Sequence, residues 1–198
     1  MVPNKQITDN FNLHEFLHSS TAERSQGLVD KQFNPPHEVI AALEYQIRTL
    51  WQPLRTFIGA QISIESGYRC PEVNKLVGGA PTSQHQFGQA GDVHLTSEFL
   101  TNSKYTAVKE YIDSQVLSIT GKAMRKEVNA DFYLFCYVCI NLQKLDIDQV
   151  IHEFGRGPGN PAWVHGSASK EKNKRQILIV STSGTKVLNL KEALSLGV

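Results

Sequence analysis

The sequence predicts an α+β domain, a small antiparallel sheet with helices packed on it, and three observations carry that expectation. Stripes of apolar residues at three-to-four-residue spacing gather early in the chain. Apolar runs paired across Gly- and Pro-rich segments gather late, the pattern of hairpins. At 198 residues, 40% apolar and 20% charged, the chain has a globular composition and the size of one domain. Both groups are therefore read as one unit over 1–198, with 168–198 as a C-terminal hairpin extension.

Each element has its local reason. Glu23 follows Ser20 at capping-box spacing and Gly27 lies beyond, so a short helix is expected after the segment 11–17. Pro35 and Pro36 end an extended stretch. Val39, Ile40, Leu43, Ile47, Leu50 and Leu54 then form the apolar stripe of a helix over 37–59. Ile62 and Ile64 alternate with polar residues as a strand, and Pro71 opens a helix that Gly78 and Gly79 stop. Residues 80–91 lack any period and feed a strand at 92–95. Val108, Tyr111, Ile112, Val116 and Leu117 fit a helix, 121–129 a linker, and the apolar run 131–142 a buried strand. The runs 150–154 and 163–167 flank a Gly/Pro-rich stretch as one hairpin, and 177–180 with 186–190 make a second.

Charge and hydropathy exclude several classes. Lys plus Arg number 20 against 19 Asp plus Glu, so the basic surplus that nucleic-acid binders use is missing. The longest apolar run, 132–140, is about half of what a spanning helix needs, so no membrane insertion is expected. Residues 1–15 hold no signal-peptide core, which leads to an expectation of cytoplasmic synthesis. Three cysteines, odd in number, make no disulfide framework, and the Cys136/Cys139 pair among apolar neighbours reads as buried thiols.

Two constellations carry candidate chemistry. His14-Glu15-Phe16-Leu17-His18 satisfies H-E-x-x-H, the helix-borne zinc pair plus base. Ser19, Ser20 and Thr21 follow at once and no third ligand stands at a usual distance downstream, so these histidines are read as solvent-side residues of a short helix. The second set is His85 and Asp92 within 83–92, with His165 far downstream. Two imidazoles and one carboxylate leave a fourth position open, as in catalytic zinc sites. Taken singly, each has a structural alternative: a loop histidine, a strand-edge charge, a core histidine. Pairing about Gly159 would set Glu153 opposite His165, putting a carboxylate where a general base is needed, and would turn His152 to the other face.

These residues resemble the zinc D-Ala-D-Ala carboxypeptidase family of cell-wall metallopeptidases, whose fold is similar to the vancomycin-resistance dipeptidases and the hedgehog signalling domain. The resemblance covers about 11–167. It rests on Phe11-Asn12-Leu13-His14-Glu15-Phe16, Ser20-Thr21-Ala22, Leu54-Arg55, Ser66-Gly67-Tyr68-Arg69, Val77-Gly78-Gly79-Ala80, the run from Ser83 to Asp92, and Trp163-Val164-His165. It implies that His85, Asp92 and His165 bind Zn2+ and that Arg69 holds substrate and stabilises an oxyanion. Ser83 and Trp163 are taken as substrate-binding. Several relatives carry an acidic base three residues before the late histidine, where this chain has Ala162. Gln149-Val150-Ile151-His152-Glu153 resembles the D-Q-L-I-x-E segment of the phage-type and Bacteroides-type branch, which supplies the base from the preceding strand. The implied activity is zinc-dependent hydrolysis of peptidoglycan stem peptides beside a D-amino acid, by a monomer, as in a phage lysin acting on the wall after release. The competing reading is a catalytically silent, zinc-containing cell-wall-binding module of the same fold.

Overall fold

The computed structural model describes residues 1–171 and 173–198. Asn12 opens α1 (Leu13–Leu17) with a capping box closed by Glu15. The expected box at Ser20 is not formed: Ser19 caps α2 (Ser20–Glu23) instead, its hydroxyl accepting from the Ala22 amide at 3.2 Å, and Ala22 has no polar side chain to answer it. After α3 (Leu28–Gln32), the stripe that begins at Val39 forms α4 (His37–Gln46), one π turn over Ile47–Trp51, and α5 (Gln52–Ile58), ended by Gly59 at φ 70. Leu43, Ile47, Leu50 and Leu54 are fully buried along it.

Strand β1 (Ile62–Ser66) leads to α6 (Pro71–Leu76), then β2 (Ala90–Leu95), α7 (Glu98–Thr101) and α8 (Thr106–Thr120). The run expected as a strand at 131–142 is instead a helix, α9 (Ala130–Ile140), capped by Asn129, whose side chain accepts from the Phe132 amide at 2.9 Å. Ten of its eleven residues are buried, so no polar face remains to show a helical period. It lies across β2, β3 (Gln149–Glu153) and β4 (Trp163–Ser167), backed by α8 and by α10 (Leu190–Leu194).

With β5 (Gln176–Ser181) and β6 (Gly184–Leu188), the sheet has the order β1-β2-β4-β3-β5-β6. It is mostly antiparallel, as expected, but β5 runs parallel to β3. Both edges of β4 are occupied, by β2 and β3. A chain leaving the end of β4 after a short connection therefore lands beside the start of β3 and runs the same way.

The hairpin of β3 and β4 differs in register from pairing about Gly159. Ile151 faces His165, and Glu153 faces Trp163, so the ladder is slipped by two residues. The loop 154–162 is not a symmetric turn. Arg125 donates to the Pro158 carbonyl and Asn129 to the Pro161 carbonyl, both at 2.8 Å, drawing the loop onto the 121–129 linker. Because side chains alternate with period two, a slip of two keeps Glu153 on the face of His165.

The sheet thus has two unlike faces. Val93, Val150, His152 and Val164 point to a core built with the α4–α5 rod and α9. Asp92, Ile151, Glu153, Trp163 and His165 point into an open cleft. Among the described residues no helix is long and apolar enough to cross a membrane.

Candidate metal centre and active-site cleft

Glycines fix the strands that carry the ligand candidates. Gly91 and Gly166 pair directly across β2 and β4, each next in sequence to a candidate ligand, and both abut the Trp51 indole. A Cβ on Gly166 would stand 2.5 Å from Trp51 Cη2, so only glycine lets the ladder settle there. Trp51 is itself held, its Nε1 donating to Gln46 Oε1 at 2.8 Å, while Gln46 Nε2 donates to the Gly88 carbonyl at 2.7 Å. One buried glutamine therefore ties the helical rod to the loop that enters β2.

The strip 66–70 is laced just as closely. The Tyr68 amide donates to the Phe16 carbonyl at 2.7 Å, and a side chain on Gly67 would collide with that same carbonyl. Buried Gln32 donates to the Leu17 and Tyr68 carbonyls and accepts from the Cys70 amide. The Arg69 amide donates to the His85 carbonyl at 3.2 Å.

His85, Asp92 and His165 converge at the floor of a cleft of about 920 Å³. His85 Nε2 lies 3.2 Å from His165 Nδ1 and 3.3 Å from Asp92 Oδ1, and His165 Nδ1 lies 2.9 Å from that oxygen. Ligands of a tetrahedral zinc at about 2.0–2.1 Å stand about 3.3 Å apart, so this triangle has the size the ion requires. Its protonation fits as well. His85 Nδ1 lies 2.6 Å from the Gly67 carbonyl, which accepts its proton and leaves Nε2 as the free lone pair. Burial pushes the His85 imidazolium down, only partly offset by Asp92, which favours the neutral ring. Burial opposes ionisation of Asp92, but its contacts with His85 and His165 outweigh it and hold the carboxyl below its usual range. A neutral imidazole and an ionised carboxylate are the forms that bind a metal.

Arg69 enters the same cleft, with Nε donating to Ser66 Oγ at 2.8 Å and Nη2 to Asp92 Oδ2. It therefore orients a ligand candidate as well as facing substrate. Glu153 also lines the cleft, on the site face. Its carboxyl is raised above the usual range, first by burial, with the His165 charge acting against that. Trp163 is half-buried and donates Nε1 to Glu153 Oε2 at 2.7 Å. Ser83 lines the cleft, and its carbonyl accepts from the Gln86 amide at the turn that carries His85. Ala162 donates its amide to the Glu153 carbonyl at 2.8 Å, so the position without a carboxylate and the one bearing it are neighbours across the ladder.

The H-E-x-x-H match does not gather. Glu15 is consumed by the capping box; His14 Nε2 lies 2.8 Å from the Val2 carbonyl and its ring packs edge-on to Phe33. Only His18 is the exposed histidine expected of both, standing at the helix end on the outer cleft wall. Gln32, Gln46 and Asp148, which belong to no motif, are buried polar residues that brace the site. Asp148 accepts from Gln84 Nε2 at 2.9 Å, just before His85. Gln46 had a signal: it sits three residues after Leu43, on the apolar stripe, where a polar side chain needs a buried partner.

A family model described as Peptidase M15 matches residues 9–125, more than half of the chain. The chain belongs to the peptidase M15 family. No curated protein matches it in sequence. Membership makes it a metallopeptidase, and the matched span holds Arg69, His85 and Asp92. Glu153, Trp163 and His165 lie beyond that span, and the fold of this M15 peptidase brings them to the same cleft.

Proposed function

We propose that this M15 peptidase is a zinc hydrolase of peptidoglycan stem peptides, cutting as a D-Ala-D-Ala carboxypeptidase or an endopeptidase. The observation that carries the reading is the donor triangle of His85, Asp92 and His165 with Glu153 and Arg69 lining one cleft. A zinc ion, when bound, supplies a Lewis acid that polarises the scissile carbonyl and acidifies water. Glu153 takes a proton from the attacking water as the C–O bond forms, and passes it to the amide nitrogen as the C–N bond breaks. Its burial suits a group that must carry a proton part-way through the reaction. Arg69, with two of its donors engaged by Ser66 and Asp92, offers its remaining N–H groups to the developing oxyanion.

Ala162 favours a second reading, a silent wall-binding module, and one experiment separates the two. Zinc-loaded protein is incubated with purified muropeptides and the products are weighed by mass spectrometry. Release of D-Ala or scission of a cross-link is expected. Glu153→Gln should keep one zinc and its fold while hydrolysis falls by about two to four orders of magnitude. Intact muropeptides, or a Gln variant as active as the parent, would contradict the proposal.

A further inference from the structure

Beside Glu153 the cleft wall turns apolar. Glu153 pairs with Trp163 on one side and Val180 on the other, so the three stand in one row across β4, β3 and β5, and all line the cleft. Phe154 comes next. Strand alternation would turn it to the core face, yet it lines the cleft too, 43% exposed. Its backbone explains this: φ is 47, the left-handed region that a bulky side chain rarely adopts. The amide remains tied to the Val180 carbonyl at 2.8 Å, and the ring packs on Trp163 with centroids 5.7 Å apart. Outlying conformations of this kind cluster at active sites and ligand clamps.

The chemistry says what that ring meets. A group that delivers a proton to the leaving nitrogen must stand within hydrogen-bond reach of it. The side chain of the leaving residue branches one atom beyond that nitrogen, and so falls on the wall next to Glu153. We propose that Phe154, Trp163 and Val180 form the subsite for the leaving residue's side chain and select an apolar one, and that Trp163 is in addition a positioning residue for Glu153. The inference rests on the hydrolytic reading above. In the step concerned, the proton that Glu153 took from water goes to the departing nitrogen, so the carboxylate ends as it began. Phe154 and Val180 offer no hydrogen-bonding side-chain group and the Trp163 N–H is already given to Glu153, so an uncharged polar side chain packed on these three loses water that they do not replace. The Trp163 N–H holds Oε2 of Glu153, and among the described residues no protein donor holds Oε1.

The test uses zinc-loaded full-length protein and pentapeptides L-Ala-D-Glu-L-Lys-D-Ala-X, with X either D-Leu or its polar near-isostere D-Asn. The parent should favour D-Leu by about tenfold or more in kcat/KM, the worth of a few apolar contacts. Phe154→Gly is freed of the left-handed constraint and therefore folds; its ratio should collapse toward one, through KM. Trp163→Phe keeps an aromatic face but loses the N–H, and should lose about ten- to a hundredfold in kcat with KM nearly unchanged. Equal cleavage of the two peptides by the parent, a preference surviving in Phe154→Gly, or an undiminished kcat in Trp163→Phe would overturn the assignment. Should the parent cleave neither, the subsite is judged by binding, and the hydrolytic reading fails only if muropeptides stay intact as well. Of the two tryptophans, Trp51 is fully buried, so the emission lost in Trp163→Phe reports the cleft. The D-Leu peptide should perturb that emission at about tenfold lower concentration than the D-Asn peptide. Equal responses, or none, would sink the subsite as well.

Discussion

His165 and His152 sit on neighbouring strands, one register step apart, and both are almost fully buried, yet their surroundings are opposite in kind. His165 Nδ1 lies 2.9 Å from Asp92 and 3.2 Å from His85, among groups arranged for a cation. His152 packs edge-on to Phe132 and Phe135 on the other face, and among the described residues neither of its nitrogens has a partner. Burial drives its pKa down to about 4, so it is neutral at ordinary pH. The pair teaches that burial does not make a histidine a ligand; strand parity, by choosing the face, does.

The sharpest way to strain that contrast is to disturb the site face alone. Arg69→Ala removes the group that faces substrate and also the bond to Asp92 Oδ2. Turnover on a muropeptide should fall by about two to three orders of magnitude. Zinc affinity, measured by competition with a chelator, should weaken by about ten- to a hundredfold, as for an outer partner of a metal ligand. Unchanged turnover and affinity would deny Arg69 both roles.

Disturbing the core face should touch stability and leave zinc alone. The folded pKa of His152, about 4, lies below the ordinary value of 6.5, so the unfolded chain binds this proton more readily. Its contribution is complete above about pH 6.5 and lost as pH falls through about 4. His152→Leu should therefore reduce the acid sensitivity of the unfolding free energy by about 3 kcal/mol between those limits. Denaturant titrations at several pH values check this, and parallel curves for variant and parent would contradict it.

Gly166 joins the two faces, because it follows His165 and rests on Trp51. A methyl there must displace the ring, at 2.5 Å, and overpacking of this kind costs about 1–3 kcal/mol. Gly166→Ala should lower the unfolding free energy by that amount and loosen zinc with it. A variant as stable as the parent would show that the indole yields.

What was legible in the sequence follows the same physics. His85, Asp92 and His165 could be singled out as a candidate set because metal chemistry restricts residue types and the family resemblance named them together, and the structure gathers them. The face of Glu153 was legible because parity survives a two-residue slip. Its partner was not, since Arg125 and Asn129, outside the hairpin, draw its loop aside. Helix α9 hid its period by being buried all round, and only Asn129 marked its start. The parallel seat of β5 depends on which sheet edge was free, which no local pattern records. Phe154 escaped notice because alternation assigns it to the wrong face.

The most direct test of the account is where zinc sits. Crystals of the zinc-loaded protein, measured at the zinc absorption edge, should show one anomalous peak at about 2.0–2.2 Å from His85 Nε2, Asp92 Oδ1 and His165 Nδ1. His85→Ala crystals should lose that peak, and His14→Ala crystals should keep it. A peak beside His14 and His18, or full zinc content in His85→Ala, would contradict it.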